Sequence, residues 1–270
     1  MQKSAGTQME GLESDVVLEN PTNNGVRCRD CEQHLREAQV LQVSLLPSAP
    51  LAEHSFEFAF RYSPFFEVSG DFADFFRLPN GFVGLYMGDV VGKGLPAALY
   101  GALVMGALRG IHKTGTATAR VLSLLNERLL QRPMTGRFCS TLYAVFDPIT
   151  RTLQFSNAGL PRPLLVSKSS CQPLGEGGLP SGMFPNATYE EHTAQLFPGD
   201  SVLFATDGVH ELCNAEGIEF GEGKILETWD RCRHRSAGES LEYLFESLKQ
   251  FSSRAGQHDD VTVVVLRVPQ

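Results

Sequence analysis

The chain has no hydrophobic run long enough to cross a bilayer. Its longest uncharged apolar stretch, Leu95–Leu108, falls short of the roughly 20 residues that a spanning helix needs. That stretch reads as a buried helix, and membrane insertion is not expected. Positive charge is also scarce: 23 Lys and Arg stand against 31 Asp and Glu, a formal net charge of −8, with no dense basic run. This argues against nucleic acid or an anionic membrane as the main partner. The N-terminal stretch Met1–Glu10 lacks the apolar segment of a secretion signal. The six cysteines (Cys28, Cys31, Cys139, Cys171, Cys213 and Cys232) are scattered and read as reduced thiols of a cytoplasmic protein. Repeats and low-complexity tracts are absent. So is a good protein nucleophile, since no Gly-x-Ser-x-Gly elbow surrounds a serine and no cysteine sits in a basic setting.

What is present is a globular composition: 270 residues, 42% hydrophobic and 20% charged, enough for a sizeable core in one large or two small domains. The first 28 residues are polar and rich in Gly and Asn, and are expected to be poorly ordered. Residues 29–46 carry a helical stripe of Cys31, Leu35, Ala38, Leu41 and Leu45, stopped by Pro47. The stripe is too short for an independent coiled coil and needs a partner surface. Cys28-x-x-Cys31-x-x-His34 resembles half a zinc site, but no second Cys/His pair follows at finger spacing.

Beyond Pro47, apolar runs of strand length alternate with turn residues. Phe56–Tyr62, Val68–Leu78, Gly81–Met87, Cys139–Phe146, Leu153–Asn157, Leu164–Val166, Glu190–Leu196, Ser201–Ala205 and Val261–Leu266 read as strands, mostly joined by hairpins. Helices are expected over Leu95–His112, apolar nearly all round and therefore buried, then over Ala117–Leu130, Phe220–Trp229 and Glu239–Phe251. Strand-heavy order with segregated helices points to an α+β sandwich.

Four acidic positions share one setting. Asp71 follows Gly70, Asp89 follows Gly88, Asp207 precedes Gly208, and Asp259-Asp260 abuts a strand start. Singly, each could be a turn dipeptide. Together, at the ends of the most hydrophobic strands, they suggest a shared site. Carboxylates in adjacent apolar strands repel unless a cation or proton lies between them. An all-oxygen set without His or Cys suits Mg²⁺ or Mn²⁺ better than zinc. Two such ions can activate a water and clamp a phosphoryl group without a protein nucleophile. The loop Gly88–Gly94 misses the P-loop spacing by one residue and has no Ser or Thr after Lys93. Lys93 itself reads as an exposed loop cation that could steer a phosphate. The histidines His112, His192, His210 and His258 read as surface or supporting residues.

Five ordered motifs carry a resemblance. Gly70-Asp71-Phe72-Ala73-Asp74, Gly88-Asp89-Val90-Val91-Gly92-Lys93-Gly94-Leu95-Pro96-Ala97-Ala98, Asn157-Ala158-Gly159, Thr206-Asp207-Gly208 and Asp259-Asp260-Val261-Thr262 closely resemble the metal-dependent PPM-type (phosphatase 2C-like) serine/threonine phosphatases, in the bacterial branch of stress-response and sporulation signalling. The likeness covers roughly Leu41 to Val268. It implies two packed, mostly antiparallel sheets flanked by pairs of helices, an α-β-β-α sandwich, as a domain over 47–270 behind the 29–46 linker helix. It also implies two Mn²⁺ or Mg²⁺ ions at one edge of that sandwich.

By the same resemblance, Asp89 would bridge both ions and the Val90 carbonyl would complete one shell. Asp207 and Asp259 would hold the other, and Asp71 would bind on the side opposite Asp207. Asp71 and Asp89 would thus act in catalysis through the metal-bound water, with Asp74 and Asp260 behind them. Asp259 is taken over Asp260 because it matches the first acidic position of the family's pattern. Departures are Ser69 in place of a Gly, Leu160 where a His is common, and Val209-His210-Glu211 after Thr-Asp-Gly. They bear on substrate specificity more than on catalysis. The implied reaction is hydrolysis of phosphoserine or phosphothreonine in a partner regulatory protein. The alternative is a phosphoprotein-binding scaffold on the same fold. With few residues ahead of the linker helix, sensing would fall to a partner or to the helix itself, and homodimerisation through residues 29–46 is one expectation.

Overall fold

The computed structural model describes residues 27–79, 81–112, 117–168, 170–253 and 255–270, with side chains from Asp30 onward. The polar leading segment, and the side chain of Cys28 in the half zinc motif, lie outside what is described. The chain opens with helix α1 (Arg27–Leu45), then strands β1 (Leu51–Glu53), β2 (Phe56–Ser63), β3 (Phe72–Arg77) and β4 (Val83–Val90). Helices α2 (Leu95–Ile111) and α3 (Thr118–Leu130) follow. Next come β5 (Cys139–Asp147), β6 (Thr152–Ala158), β7 (Leu164–Val166), β8 (Cys171–Pro173), β9 (His192–Gln195) and β10 (Ser201–Ala205). The short helix α4 (Asp207–His210), α5 (Gly221–Cys232), α6 (Ala237–Phe251) and strand β11 (Val261–Arg267) complete it.

The strands form two antiparallel sheets, ordered β1-β2-β11-β10-β7-β8 and β3-β4-β5-β6-β9. Side-chain alternation decides how they stack. Along β4, Val83, Leu85 and Met87 point between the sheets, where they meet Phe56, Phe58, Phe146, Phe204 and Val264. Tyr86 and Val90 point the other way, onto Tyr100, Val104 and Leu108 of α2 and Leu122 and Leu125 of α3. In β11, Val261, Val263 and Val265 face Trp229, Leu241 and Leu244 of α5 and α6. Each central strand is thus covered on both faces, which is why it reads as an unbroken apolar run. Phe58 from one sheet stacks on Phe75 from the other, ring centroids 5.6 Å apart, and each fully buried ring of this kind contributes roughly 1.5–3 kcal/mol. The α-β-β-α architecture expected from the sequence is the one observed.

Four features differ from the sequence reading. Helix α2 is not covered all round: Leu95, Leu99 and Leu103 are 42%, 65% and 50% exposed. Only one face of it meets the sheet, and the opposite face, uncharged though it is, looks outward. The strand expected from Val68 begins at Phe72, because Ser69 Oγ accepts the Asp71 N–H (2.9 Å) and turns the backbone there. The edge strands β1 and β8, three residues each, are too short to show a period. In α1, Leu41 lies on the outer side at 69% exposure, while Leu35, Ala38 and Leu45 are half-buried.

The registers bring the acidic positions to one edge. Gly88 pairs with Phe72, so Asp71 lies just off the end of β3 beside Asp89. Ala205 pairs with Val263, and the pairing runs on as the Thr206 N–H donates to the Thr262 carbonyl (3.0 Å). Asp207 and Asp259-Asp260 therefore flank the same end of the other sheet.

Candidate metal centre

Asp71 is fully buried, and its carboxylate accepts a hydrogen bond from Thr206 Oγ1 at 2.8 Å. Burial, and then the neighbouring Asp89, push its carboxyl well above the usual range. Asp89 is pushed up to about 8, first by burial and then by Asp207 and Asp259. Asp207 is raised by burial and then by Asp259. Asp89 is thus the hub of the group, close enough to Asp71, Asp207, Asp259 and Asp260 to feel each charge. Glu211, one turn beyond, is raised by burial and then by Asp207.

Glycines make this proximity possible. A Cβ on Gly70 would meet the Val90 carbonyl oxygen at 2.8 Å and Asp89 Oδ1 at 3.2 Å. A Cβ on Gly208 would lie 1.9 Å from the Asp260 carbonyl oxygen. A real Cβ can make neither the 2.8 Å nor the 1.9 Å contact, so the turn before β3 packs on the end of β4, and the start of α4 on the approach to β11, as only glycine permits. The Val90 carbonyl faces Gly70 at the Asp89 side of the cleft.

The paired residues Asp259 and Asp260 divide their work. The buried Asp260 carboxylate accepts from the Phe65 N–H (2.8 Å) and the Gly70 N–H (3.1 Å), which fixes the turn ahead of Asp71. Asp259 is partly exposed and its Oδ2 lies 2.9 Å from Lys93 Nζ. Asp74, expected behind the site, is engaged elsewhere: it takes Tyr86 Oη at 3.1 Å and Arg109 Nη2 at 3.0 Å. The Asn157-Ala158-Gly159 motif closes its own turn, with Asn157 Nδ2 donating to the Leu160 carbonyl (2.8 Å) and the Leu160 N–H returning to Asn157 Oδ1 (2.9 Å).

Three supporting residues had no clear sequence signal. Thr206 Oγ1 donates to Asp71 and accepts from the Thr262 N–H at 3.1 Å; its place within Thr-Asp-Gly was the available hint. Gln42 of α1 donates to the Ser69 carbonyl (2.6 Å) and accepts the Ser69 N–H (3.0 Å). Arg137 Nη1 donates to the Val91 carbonyl at 2.7 Å.

As a donor set these residues fit a hard divalent cation. They offer oxygen only, they are buried or half-buried, and they hold one another in a state that a cation would relieve. Among the described residues no group of three or more His, Cys, Asp or Glu side chains is arranged so that it could hold a metal ion as it stands. The carboxylates are gathered, but Asp259 is engaged by Lys93.

A two-sheet sandwich with this carboxylate edge defines the class of PPM-type, phosphatase 2C-like phosphatases, which are metal-dependent. Within it, the family model described as Stage II sporulation protein E (SpoIIE) matches residues 79–269, and the chain belongs to that family. It is 25% identical over 251 residues to phosphoserine phosphatase RsbU of Bacillus subtilis (strain 168), covering 92% of this chain and 74% of RsbU. Against two further curated relatives it spans only 41% and 45% of their lengths. Among solved structures, the SiaA-PP2C domain of Pseudomonas aeruginosa superimposes with a TM-score of 0.79 at 20% identity, over 88% of this chain and 97% of that one. RsbX, solved in complex with magnesium, gives a TM-score of 0.62 at 16% identity, over 82% and 98%. No helix among the described residues is long and apolar enough to cross a membrane.

Proposed function

We propose that the chain hydrolyses phosphoserine or phosphothreonine in a phosphorylated regulatory protein, at a pair of Mn²⁺ or Mg²⁺ ions held by Asp71, Asp89, the Val90 carbonyl, Asp207 and Asp259. The observation that carries this reading is the gathering of four buried or half-buried carboxylates, three of them raised by burial and then by their neighbours, at one edge of a phosphatase fold. The name of RsbU, a phosphoserine phosphatase similar over 92% of this chain, supports the substrate class. The magnesium in the RsbX structure supports the choice of ion.

When bound, the ions supply a water acidified toward neutral pH and a counter-charge for the phosphoryl oxygens. The protein's own groups set the stage. Asp89 lies near the carboxylates of both sheets, and Thr206 holds one Asp71 oxygen in place. Asp260 and Gln42 fix the Ser69-Gly70 backbone that presents Asp71. Gly70 lets the turn before β3 lie close against Asp89 and Val90, and Gly208 does the same for α4 against Asp259 and Asp260. Pairing of two copies through residues 29–46 and a cytoplasmic location belong to the same reading. Exposed Val40 (70%) and Leu41 (69%) on α1 support the former, and sedimentation of a chain lacking residues 1–46 tests it.

Hydrolysis of a chromogenic phosphate monoester and of a phosphoserine peptide, with Mn²⁺ present, tests the central reading. Asp89→Ala is expected to lower kcat by at least about 100-fold. Wild-type rates in that variant, or no hydrolysis by the wild type, would leave only a binding scaffold on this fold.

A further inference from the structure

Lys93 stands in the middle of the Gly92-Lys93-Gly94 loop, between β4 and α2. Both glycines take left-handed backbone angles, with φ of 93° and 70°, a conformation that side-chain-bearing residues rarely hold. The lysine side chain leaves this loop and crosses the mouth of the carboxylate cleft. Its ammonium lies 2.9 Å from Asp259 Oδ2, donates to the His258 carbonyl, and sits 5.3 Å from the centre of the Phe65 ring. Phe65 is held in place by its own N–H bond to Asp260. All three partners of the ammonium therefore belong to the Asp259 side of the site.

The remaining acids of the cleft are treated differently. The charges acting on Asp71, Asp89 and Asp207 are chiefly those of other carboxylates, whereas Asp259 has a cation of the chain's own in direct contact. The pair is only partly shielded, with side-chain exposures of 37% for Lys93 and 32% for Asp259. A single-charge pair this exposed is held weakly and can yield to a doubly charged ion at the same carboxylate.

We infer that Lys93 is an internal competitor for the metal centre: its ammonium occupies Asp259 until a divalent cation displaces it, which lowers the chain's affinity for that cation. The inference rests on Asp259 being a metal ligand. Once displaced, the ammonium stays tethered at the mouth by its loop.

Calorimetric titration of the full chain with MnCl₂ tests this. Lys93→Met and Lys93→Gln are expected to bind Mn²⁺ about three- to fivefold tighter than wild type, the scale of a partly exposed ion pair. Lys249→Met, the same charge change out on α6, is expected to stay within about twofold of wild type, the scale of a screened, distant charge. In an Asp259→Asn background the Lys93 substitutions are expected to have no further effect. Unchanged or weaker Mn²⁺ binding in both Lys93 variants overturns the inference, as does an equal gain in Lys249→Met. Wild-type Mn²⁺ binding by Asp259→Asn alone would instead remove Asp259 from the ligand set, and so separates failure of the metal-site reading from failure of the competition.

Discussion

Asp89 concentrates the electrostatic strain of the molecule. Its carboxyl is pushed up to about 8 by burial and by Asp207 and Asp259, while a carboxyl in an unfolded chain titrates near 4. Between those values the folded, metal-free chain holds a proton that the unfolded chain has released. This contribution to stability is complete below about pH 4 and declines as the pH rises through about 8. Asp71 is shifted in the same direction. The melting temperature of metal-free protein should therefore fall between about pH 6 and about pH 8.5, and Mn²⁺ should raise it more at the upper end. Asp89→Asn should flatten that slope and stabilise the metal-free chain at about pH 8 by on the order of 1–3 kcal/mol. A slope unchanged by the substitution would contradict this account of Asp89.

Among the elements, the junction of α4 with the start of β11 is the tightest. Gly208 packs so closely that a Cβ would overlap the Asp260 carbonyl oxygen at 1.9 Å. Gly208→Ala must push the two apart, and with them Asp207 from Asp259. It should cost roughly 3 kcal/mol or more in chemical denaturation and weaken Mn²⁺ binding as well. A stable variant with normal Mn²⁺ affinity would show that the junction has more slack than the structure gives it. The long, doubly covered strands β4, β5, β10 and β11 were legible in the sequence because burial on both faces leaves an unmistakable apolar run. The same reasoning misjudged α2, since hydropathy records that a helix is uncharged but not which of its faces finds a neighbour. Edge strands β1 and β8 were too short to carry a period. The acidic positions stood out by their place at strand ends. The supports from Gln42 and Arg137 did not, because each acts on backbone far away in sequence. That Lys93 would lie against Asp259 was equally hidden: the two are brought together by strand order, not by local pattern.

For the whole molecule, the sandwich explains why the site is where it is. Three apolar layers, one between the sheets and one under each helical pair, fix the sheets so that the ends of β4 and β10 meet the starts of β3 and β11 along one edge. Carboxylates at such an edge have apolar layers behind them and solvent in front, an arrangement in which their charges are poorly screened and a cation is strongly favoured. A chain with a net charge of −8 gains little by gathering more acid in one place, unless that acid holds ions. The most direct test is anomalous diffraction at the manganese edge from crystals soaked in MnCl₂. Two peaks are predicted, within about 2.0–2.6 Å of the Asp71, Asp89, Asp207 and Asp259 carboxylates and the Val90 carbonyl. No manganese at this edge, or manganese bound only elsewhere on the chain, would contradict the account.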